Sequence, residues 1–180
     1  MIPRKLKSDI DRHKDNIPVV AIIGARQVGK TTLAKELISK KEDTIFLDLE
    51  KYSDRQIITE TEGFLKLNKG KTICIDEIQM MPEILFEIRN FVDNHTDTKF
   101  ILLGSSSPNL LRNTSESLAG RIFYFELSPF LWNEIKDLSD MNNYRLVGGL
   151  PKSILAKTPE DSFIWIQNYI KTFLERDLRN

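Results

Sequence analysis

The sequence predicts an α/β domain in which a parallel sheet lies between layers of helices. Short apolar runs, typical of strands covered on both faces, alternate with segments whose apolar residues recur at helical spacing. The 41% apolar content of the 180 residues is enough for a buried core. After Leu127 the alternation ends in a turn-rich stretch. We therefore expect a core domain followed by a smaller, partial helical lobe.

The elements of the core domain are expected in regular order. The predicted strands are Val19–Gly24, Thr44–Leu49, Thr72–Asp76, Lys99–Gly104 and Arg121–Leu127. The predicted helices are Thr31–Ser39, a weaker one around Ile57–Leu67, one that begins near Pro82, and one near Asn109–Leu118. Because strands and helices alternate, the five strands should run parallel, with helices on both faces of the sheet.

Three regions follow from this pattern. Residues 1–16 are a polar lead-in, for which a solvated helix and a local basic contact surface both stay open. Residues 17–127 form the core domain, and residues 128–180 begin a second lobe that we expect to be incomplete. In this lobe we expect a short helix around Trp132–Leu138. Thr158 and Pro159 then provide the start of a last helix, whose apolar stripe needs a surface to pack on.

Composition and charge exclude several classes of protein. The 26 basic and 26 acidic side chains balance, so the net charge of the domain does not favour binding to nucleic acid or to an anionic membrane. The single cysteine, Cys74, excludes an intrachain disulfide framework. No stretch approaches the ~20 apolar residues of a membrane span, and the first residues lack the apolar run of a secretory signal. We expect a cytoplasmic protein without a membrane partner.

The strongest motif lies between the first strand and the first helix of the core. Residues 24–31 read Gly-Ala-Arg-Gln-Val-Gly-Lys-Thr and match G-x-x-x-x-G-K-[ST] at every fixed position. Backbone N–H groups of such a loop surround the β-phosphate, and the helix N-terminus adds its positive dipole end. Lys30 is expected at the β- and γ-phosphates, and the Thr31 hydroxyl in the shell of a Mg²⁺ ion. The predicted nucleotide-binding residues are Gly24, Ala25, Arg26, Gln27, Val28, Gly29, Lys30, Thr31 and Thr32.

The third predicted strand ends in two carboxylates, Asp76 and Glu77. After a phosphate-binding loop, this pattern places the aspartate in the metal shell and leaves the glutamate able to polarise a water in line with the γ-phosphate. A glutamate directly after the aspartate favours attack by water over transfer to another hydroxyl. The alternative for Glu77 is a solvated carboxylate at a strand end.

Two further elements carry less specific signals. Ser105 and Ser106 follow the fourth strand, and either one is a candidate for contact with the γ-phosphate; a plain serine-rich turn is the alternative. Arg121 opens the fifth strand, where it could stabilise transition-state charge in its own subunit or in a neighbouring one. It could equally form a structural pair with a carboxylate. We favour action across a subunit interface.

Taken together, these segments resemble the AAA+-type predicted ATPases of archaea and bacteria that carry a C-terminal domain of unknown function. The matching segments are residues 24–33, 75–79, 102–107, 116–121, 148–151 and 169–177, so the resemblance covers roughly residues 17–180. It implies a P-loop fold in which the sensor strand lies between the two nucleotide-binding strands. It also implies Mg²⁺-dependent ATP hydrolysis with Lys30, Thr31, Asp76, Glu77 and a sensor serine in their usual roles.

The resemblance implies a longer protein as well. Family members continue past a helix like residues 162–179 into a winged-helix-like region and a larger C-terminal domain, so we expect these 180 residues to be a fragment or a shortened relative. The leading interpretation is an ATPase whose hydrolysis drives conformational change. The alternatives are a nucleotide-dependent switch or scaffold with negligible turnover, and a P-loop kinase. Homo-oligomerisation and a nucleic-acid or protein client stay open.

Overall fold

The computed structural model describes residues 2–39, 43–105, 114 and 116–177, with side chains as far as residue 173. Within these ranges the chain forms two compact units. The first unit is Lys5–Leu127. The second unit consists of the described residues of Met1–Arg4 and Ser128–Asn180.

A parallel sheet forms the centre of the first unit. Over the described residues its five strands are β1 (Val19–Ile23), β2 (Thr44–Asp48), β3 (Thr72–Asp76), β4 (Lys99–Gly104) and β5 (Ile122–Glu126). The strand order is β2-β3-β4-β1-β5, and every neighbouring pair is parallel. The predicted α/β P-loop fold is therefore confirmed, and β4 lies between β1 and β3, as the resemblance implies.

The burial of each strand explains its sequence. Every residue of β1 and β3 is buried, because helices cover both faces of the sheet, and these residues are apolar except Thr72 and Asp76 at the two ends of β3. The strand β5 forms one edge of the sheet, and its Phe123 and Tyr124 are exposed. The core of this unit is therefore centred on the strands that end at the predicted site.

Helices connect and cover these strands. They are α1 (Lys5–His13), α2 (Lys30–Ile38), α3 (Tyr52–Thr59), α4 (Thr61–Leu67), a short 3₁₀ helix (Ile78–Met80) and α5 (Ile84–Asn94). Within the polar lead-in, α1 buries Ile10 completely. The helix expected near Asn109–Leu118 lies largely outside the described residues, although Thr114, Glu116 and Ser117 are helical.

The single helix expected around Ile57–Leu67 is wrong, because two helices occupy this part of the chain. The break falls at Glu60, whose φ of −85° and ψ of 66° lie outside the helical region. At the break, the Thr61 hydroxyl donates to the carbonyl oxygen of Ile58 at 2.7 Å. Thr61 thus satisfies a carbonyl at the end of α3 that the helix itself leaves without a partner.

The second unit has a small helical core. Its helices are α6 (Trp132–Ile135), α7 (Met141–Val147), α8 (Pro151–Ile154) and α9 (Pro159–Asp177). Phe130, Ile135, Val147 and Ile154 pack together at its centre. The Arg4 guanidinium donates to the Ser128 carbonyl oxygen and lies 4.5 Å from the centre of the Phe130 ring. The N-terminal segment is thereby tied to this unit.

The last helix, α9, begins as its sequence predicts and leaves part of its apolar stripe exposed. The Thr158 hydroxyl oxygen accepts a hydrogen bond from the Asp161 N–H at 3.1 Å. In the predicted apolar stripe of this helix, Ile170 is 50% exposed and Phe173 40%, whereas Ile166 and Tyr169 are half-buried. The described part of the chain therefore buries this stripe only in part. No helix within the described residues is long and apolar enough to cross a membrane.

Candidate nucleotide-binding site

The predicted site residues lie together at the carboxyl-terminal edge of the sheet, where three parallel strands end side by side. Ile23 at the end of β1 is paired in register with Gly104 at the end of β4, and Ile75 of β3 with Leu102 of β4. The loop that starts at Gly24, the carboxylates after Ile75 and the residue Ser105 therefore start from the same edge. Ligands of open α/β sheets bind at this edge.

Gly24 is required at the loop entrance because the backbone of another segment lies against it. A Cβ atom at this position would lie 2.3 Å from the carbonyl oxygen of Leu127. The contact is close because the Leu127 N–H donates to the Ile23 carbonyl oxygen at 2.7 Å, which draws the chain after β5 onto the loop. At the other end of the loop, Gly29 adopts φ 101°, ψ 24° immediately before α2, a conformation that glycine adopts without steric cost.

The remaining loop residues divide into an anchor and an exposed tip. Val28 is completely buried and fixes the loop against the core. Ala25 and Gln27 are exposed, with Gln27 at a positive φ of 61°, and Arg26 is half-buried. Thr32 is exposed on the first turn of α2. The structure thus presents the predicted loop as a backbone arch whose tip faces solvent.

Lys30 is held under this arch with only 6% of its surface exposed. Its Nζ donates to the carbonyl oxygens of Gly24 and Ala25, at 3.0 Å each. Burial lowers the pKa of Lys30, the Glu77 and Asp76 carboxylates oppose that shift, and Arg26 adds to it. The ammonium group therefore lies in a poorly hydrated position near two carboxylates.

Thr31 and Asp76 are hydrogen-bonded to each other at the carboxyl-terminal edge of the sheet. The Thr31 Oγ1 donates to Asp76 Oδ2 at 2.6 Å, and the Glu77 N–H donates to Asp76 Oδ1 at 3.0 Å. Burial raises the pKa of Asp76, and the charges of Glu77 and Asp48 raise it further, while its two hydrogen bonds act in the opposite direction. Asp76 is thus a poorly hydrated carboxylate whose charged form a nearby cation would stabilise.

Glu77 turns the chain sharply at the end of β3. Its φ of 54° and ψ of 47° are left-handed, which is uncommon for a residue with a Cβ atom. The turn leads into the 3₁₀ helix, and Gln79 Nε2 donates to Glu77 Oε2. Gln79 is not among the residues predicted from the sequence, and neither is Asp48, the register partner of Asp76 on β2. The signal available in the sequence for Asp48 was an acidic residue directly before the last residue of the second predicted strand, Thr44–Leu49.

The serines and Arg121 are placed differently from one another. Ser105 directly follows β4 beside the start of the phosphate loop, and Ser106 lies outside the described residues. Arg121 is not brought to the site. Its carbonyl oxygen accepts from the N–H of Val19 at the beginning of β1, which places Arg121 about 16 Å of strand away from the loop.

Arg121 instead forms a two-pronged pair with Asp93 at the end of α5. Its Nη2 donates to Asp93 Oδ2 at 2.9 Å and its Nε to Asp93 Oδ1. The hydrogen bond from Arg121 lowers the pKa of Asp93. This arrangement contradicts action of Arg121 on the phosphates of its own subunit, because the side chain is at the opposite end of the sheet.

The donor set fits Mg²⁺ better than a metal held by protein ligands alone. The described residues contain no group of three or more histidine, cysteine, aspartate or glutamate side chains that could hold a metal ion. Mg²⁺ usually takes one or two protein oxygens and completes its shell with water and phosphate oxygens. The Thr31 hydroxyl and the Asp76 carboxylate could supply such oxygens next to the phosphate loop.

The fold and the site together define the class of the protein. A glycine-bounded loop joins a buried strand to a helix, and its lysine and threonine lie beside the acidic end of β3; this is a P-loop nucleoside triphosphatase domain. Residues 16–136 match the family described as an AAA domain, and the chain belongs to that family. Residues 138–180 match a domain of unknown function, DUF8612. These matches confirm the family that the sequence motifs indicate.

Several curated proteins are similar to this chain. The uncharacterized proteins Rv2008c of Mycobacterium tuberculosis and Mb2031c of Mycobacterium bovis are each 40% identical over 162 residues. The aligned region is 89% of this chain and 36% of each relative. The chain therefore spans about a third of the length of these relatives.

Solved structures share the fold at low sequence identity. The Walker-type ATPase PABY2304 of Pyrococcus abyssi superimposes with a TM-score of 0.73 at 16% identity, over 99% of this chain and 75% of that one. A signal transduction ATPase with numerous domains, PH0952 of Pyrococcus horikoshii, gives a TM-score of 0.55 at 16% identity, over 86% of this chain and 29% of that one. The chain thus has the fold of a P-loop ATPase domain.

Proposed function

We propose that this domain binds ATP with Mg²⁺, hydrolyses it, and uses the hydrolysis to drive a conformational change. The observation that carries the proposal is the 2.6 Å hydrogen bond between Thr31 and Asp76, which are 45 residues apart in the chain. It supports a site in which the hydroxyl and the carboxylate hold Mg²⁺ beside the phosphates. The bound ion would neutralise charge on the phosphate oxygens.

Lys30 would contact the phosphates in place of its present partners. Its ammonium group donates to two neutral carbonyl oxygens of the loop, Gly24 and Ala25. Hydrogen bonds from an ammonium group to an anionic phosphate are stronger than those to a neutral carbonyl. The negative charge of the phosphates would also favour the ammonium form of this buried lysine. Lys30 therefore suits the binding of a triphosphate.

Glu77 is the candidate for the general base. In the proposed reaction the water oxygen forms a bond to the γ-phosphorus, and the bond from that phosphorus to the β–γ bridging oxygen breaks. The proton of the water passes to the Glu77 carboxylate, and ADP and phosphate leave. Ser105 would donate to a γ-phosphate oxygen, with Ser106 as the other candidate.

Steady-state phosphate release tests the proposal. Glu77→Gln should bind ATP like the wild type but hydrolyse it roughly 10²–10⁴-fold more slowly, because it lacks the base. Lys30→Ala should lose nucleotide affinity in calorimetry. Glu83→Gln is the matched control, because Glu83 is an exposed glutamate a few residues further on. Wild-type rates in Glu77→Gln would refute its role as base.

Calorimetry together with phosphate release, measured with and without an added hydroxyl compound, separates the alternatives. Tight nucleotide binding without phosphate release would support the nucleotide-dependent switch or scaffold. Transfer of the γ-phosphoryl group to an added hydroxyl compound would support the P-loop kinase. A cytoplasmic location and self-association stay predictions, and the nature of the client stays open. The activity of a longer protein that contains this domain is likewise a proposal.

A further inference from the structure

The side chain of Gln79 contacts the proposed base directly. Gln79 Nε2 donates to Glu77 Oε2, although the two residues are only two positions apart. This contact depends on the left-handed conformation of Glu77, which bends the chain into the 3₁₀ helix Ile78–Met80 and brings Gln79 back to the end of β3. Left-handed conformations of residues with a Cβ atom cost free energy and concentrate at functional sites.

The other end of the same amide has no partner in the described part of the chain. Gln79 Oε1 is buried and accepts no hydrogen bond there. The orientation of the amide is determined by Glu77, because the reversed amide would bring its oxygen against a carboxylate oxygen. A buried acceptor without a donor costs free energy. The amide therefore has one described side-chain contact, the contact to Glu77.

The 3₁₀ turn does not need this amide for its own stability. Ile78, which is 1% exposed, anchors the turn in the core of the first unit. Backbone hydrogen bonds from Met80 N–H to the Glu77 carbonyl oxygen and from Met81 N–H to the Ile78 carbonyl oxygen close the turn, at 2.9 Å and 3.2 Å. An apolar side chain at position 79 would avoid the unpaired oxygen. The glutamine is thus better explained by what it does to Glu77.

We propose that Gln79 is a positioning residue for the general base. By donating to Oε2 it stops rotation of the Glu77 carboxylate, and it leaves Oε1 to accept the proton of the attacking water. A base held in one orientation reaches the transition state with less loss of conformational freedom than a freely rotating one. The inference rests on the proposed function, because it assumes that Glu77 is the base.

Two variants of Gln79 test the inference. Gln79→Ala removes the donor, and kcat for ATP hydrolysis should fall roughly 10- to 100-fold while KM stays within about twofold. Gln79→Glu keeps the shape of the side chain but replaces the donor by an acceptor, so kcat at neutral pH should fall as far or further. Met80→Ala is the control, because Met80 is an exposed neighbour in the same turn. It should keep the wild-type kcat.

The double variant distinguishes positioning from a structural role. In the Glu77→Gln background, Gln79→Ala should cause no further loss of kcat, because the base that it orients is already absent. A structural role would lower kcat by the same factor in both backgrounds, and that result would overturn the inference. Urea unfolding of each variant checks that it is folded, and Gln79→Glu carries the test if Gln79→Ala does not fold.

Failure of the inference can be told from failure of the proposed function. If Glu77→Gln hydrolyses ATP at the wild-type rate, the proposed function is wrong for Glu77, and the positioning role falls with it. If Glu77→Gln is slow but Gln79→Ala and Gln79→Glu keep the wild-type kcat, only the positioning role is overturned.

Discussion

The contact at Gly24 predicts that one added methyl group disrupts the loop entrance. In Gly24→Ala the new Cβ atom would lie 2.3 Å from the Leu127 carbonyl oxygen and 3.2 Å from its carbonyl carbon. The neighbouring atoms belong to the backbone and cannot move aside as a side chain can. Either the loop or the chain after β5 must shift, and the hydrogen bond from Leu127 to Ile23 would be strained.

The expected cost follows from two effects. Forcing an extra carbon into a packed position costs about 1–3 kcal/mol. The φ of Gly24, 154°, lies in a region that other residues rarely adopt, which adds about 1–3 kcal/mol. The free energy of unfolding should therefore fall by about 2–6 kcal/mol, a large part of the roughly 5–15 kcal/mol typical of a domain.

Urea denaturation of the wild type and two variants measures this difference. Gly63→Ala is the matched control, because its added Cβ atom meets nothing within 4 Å on the helix α4. It should stabilise the protein by roughly 0.5–1 kcal/mol through the lower conformational entropy of the unfolded chain. ADP with Mg²⁺ should raise the melting temperature of Gly63→Ala but not of Gly24→Ala. Equal stability of Gly24→Ala and the wild type would refute the reasoning.

Two further predictions concern charged residues. Burial raises the pKa of Asp76, so the stability linked to its protonation is fully present below the ordinary aspartate pKa and is lost as pH rises through the pKa of Asp76 in the folded state. Asp76→Asn should therefore raise the free energy of unfolding at pH 7, as urea titration would show. The same variant should weaken Mg²⁺-dependent nucleotide binding, as calorimetry would show. Arg121→Ala should keep the ATPase rate, because Arg121 pairs with Asp93 away from the phosphate loop; a loss that Lys30→Ala subunits restore on mixing would instead indicate action across subunits.

The fold was predictable because its signals are local. Strands buried on both faces are largely apolar, so β1 and the Ile-Cys-Ile centre of β3 stand out in the sequence without knowledge of their neighbours. The phosphate loop is equally local, since its glycines, lysine and threonine must follow one another to form the arch. The spatial meeting of Thr31 and Asp76 then follows from the strand order, because parallel strands end at one edge.

Features that depend on a distant partner or an unusual backbone angle were not predictable. Arg121 pairs with a carboxylate 28 residues away, and the sequence contains many exposed carboxylates that could serve equally well. The contact of Gln79 with Glu77 requires a left-handed glutamate, which residue preferences do not indicate. The break between α3 and α4 depends on Glu60, a residue type that favours helices.

The electrostatics of the site relate the free energy that its buried charges cost to the proposed function. Burial shifts the pKa of Lys30 down and that of Asp76 up, so each group is held in surroundings that disfavour its charged form. A triphosphate and Mg²⁺ would supply opposite charges for the lysine and the carboxylate, and the same poor hydration would strengthen those interactions. The free energy that these two buried groups cost the domain without ligand would thus favour the proposed binding of a magnesium nucleotide.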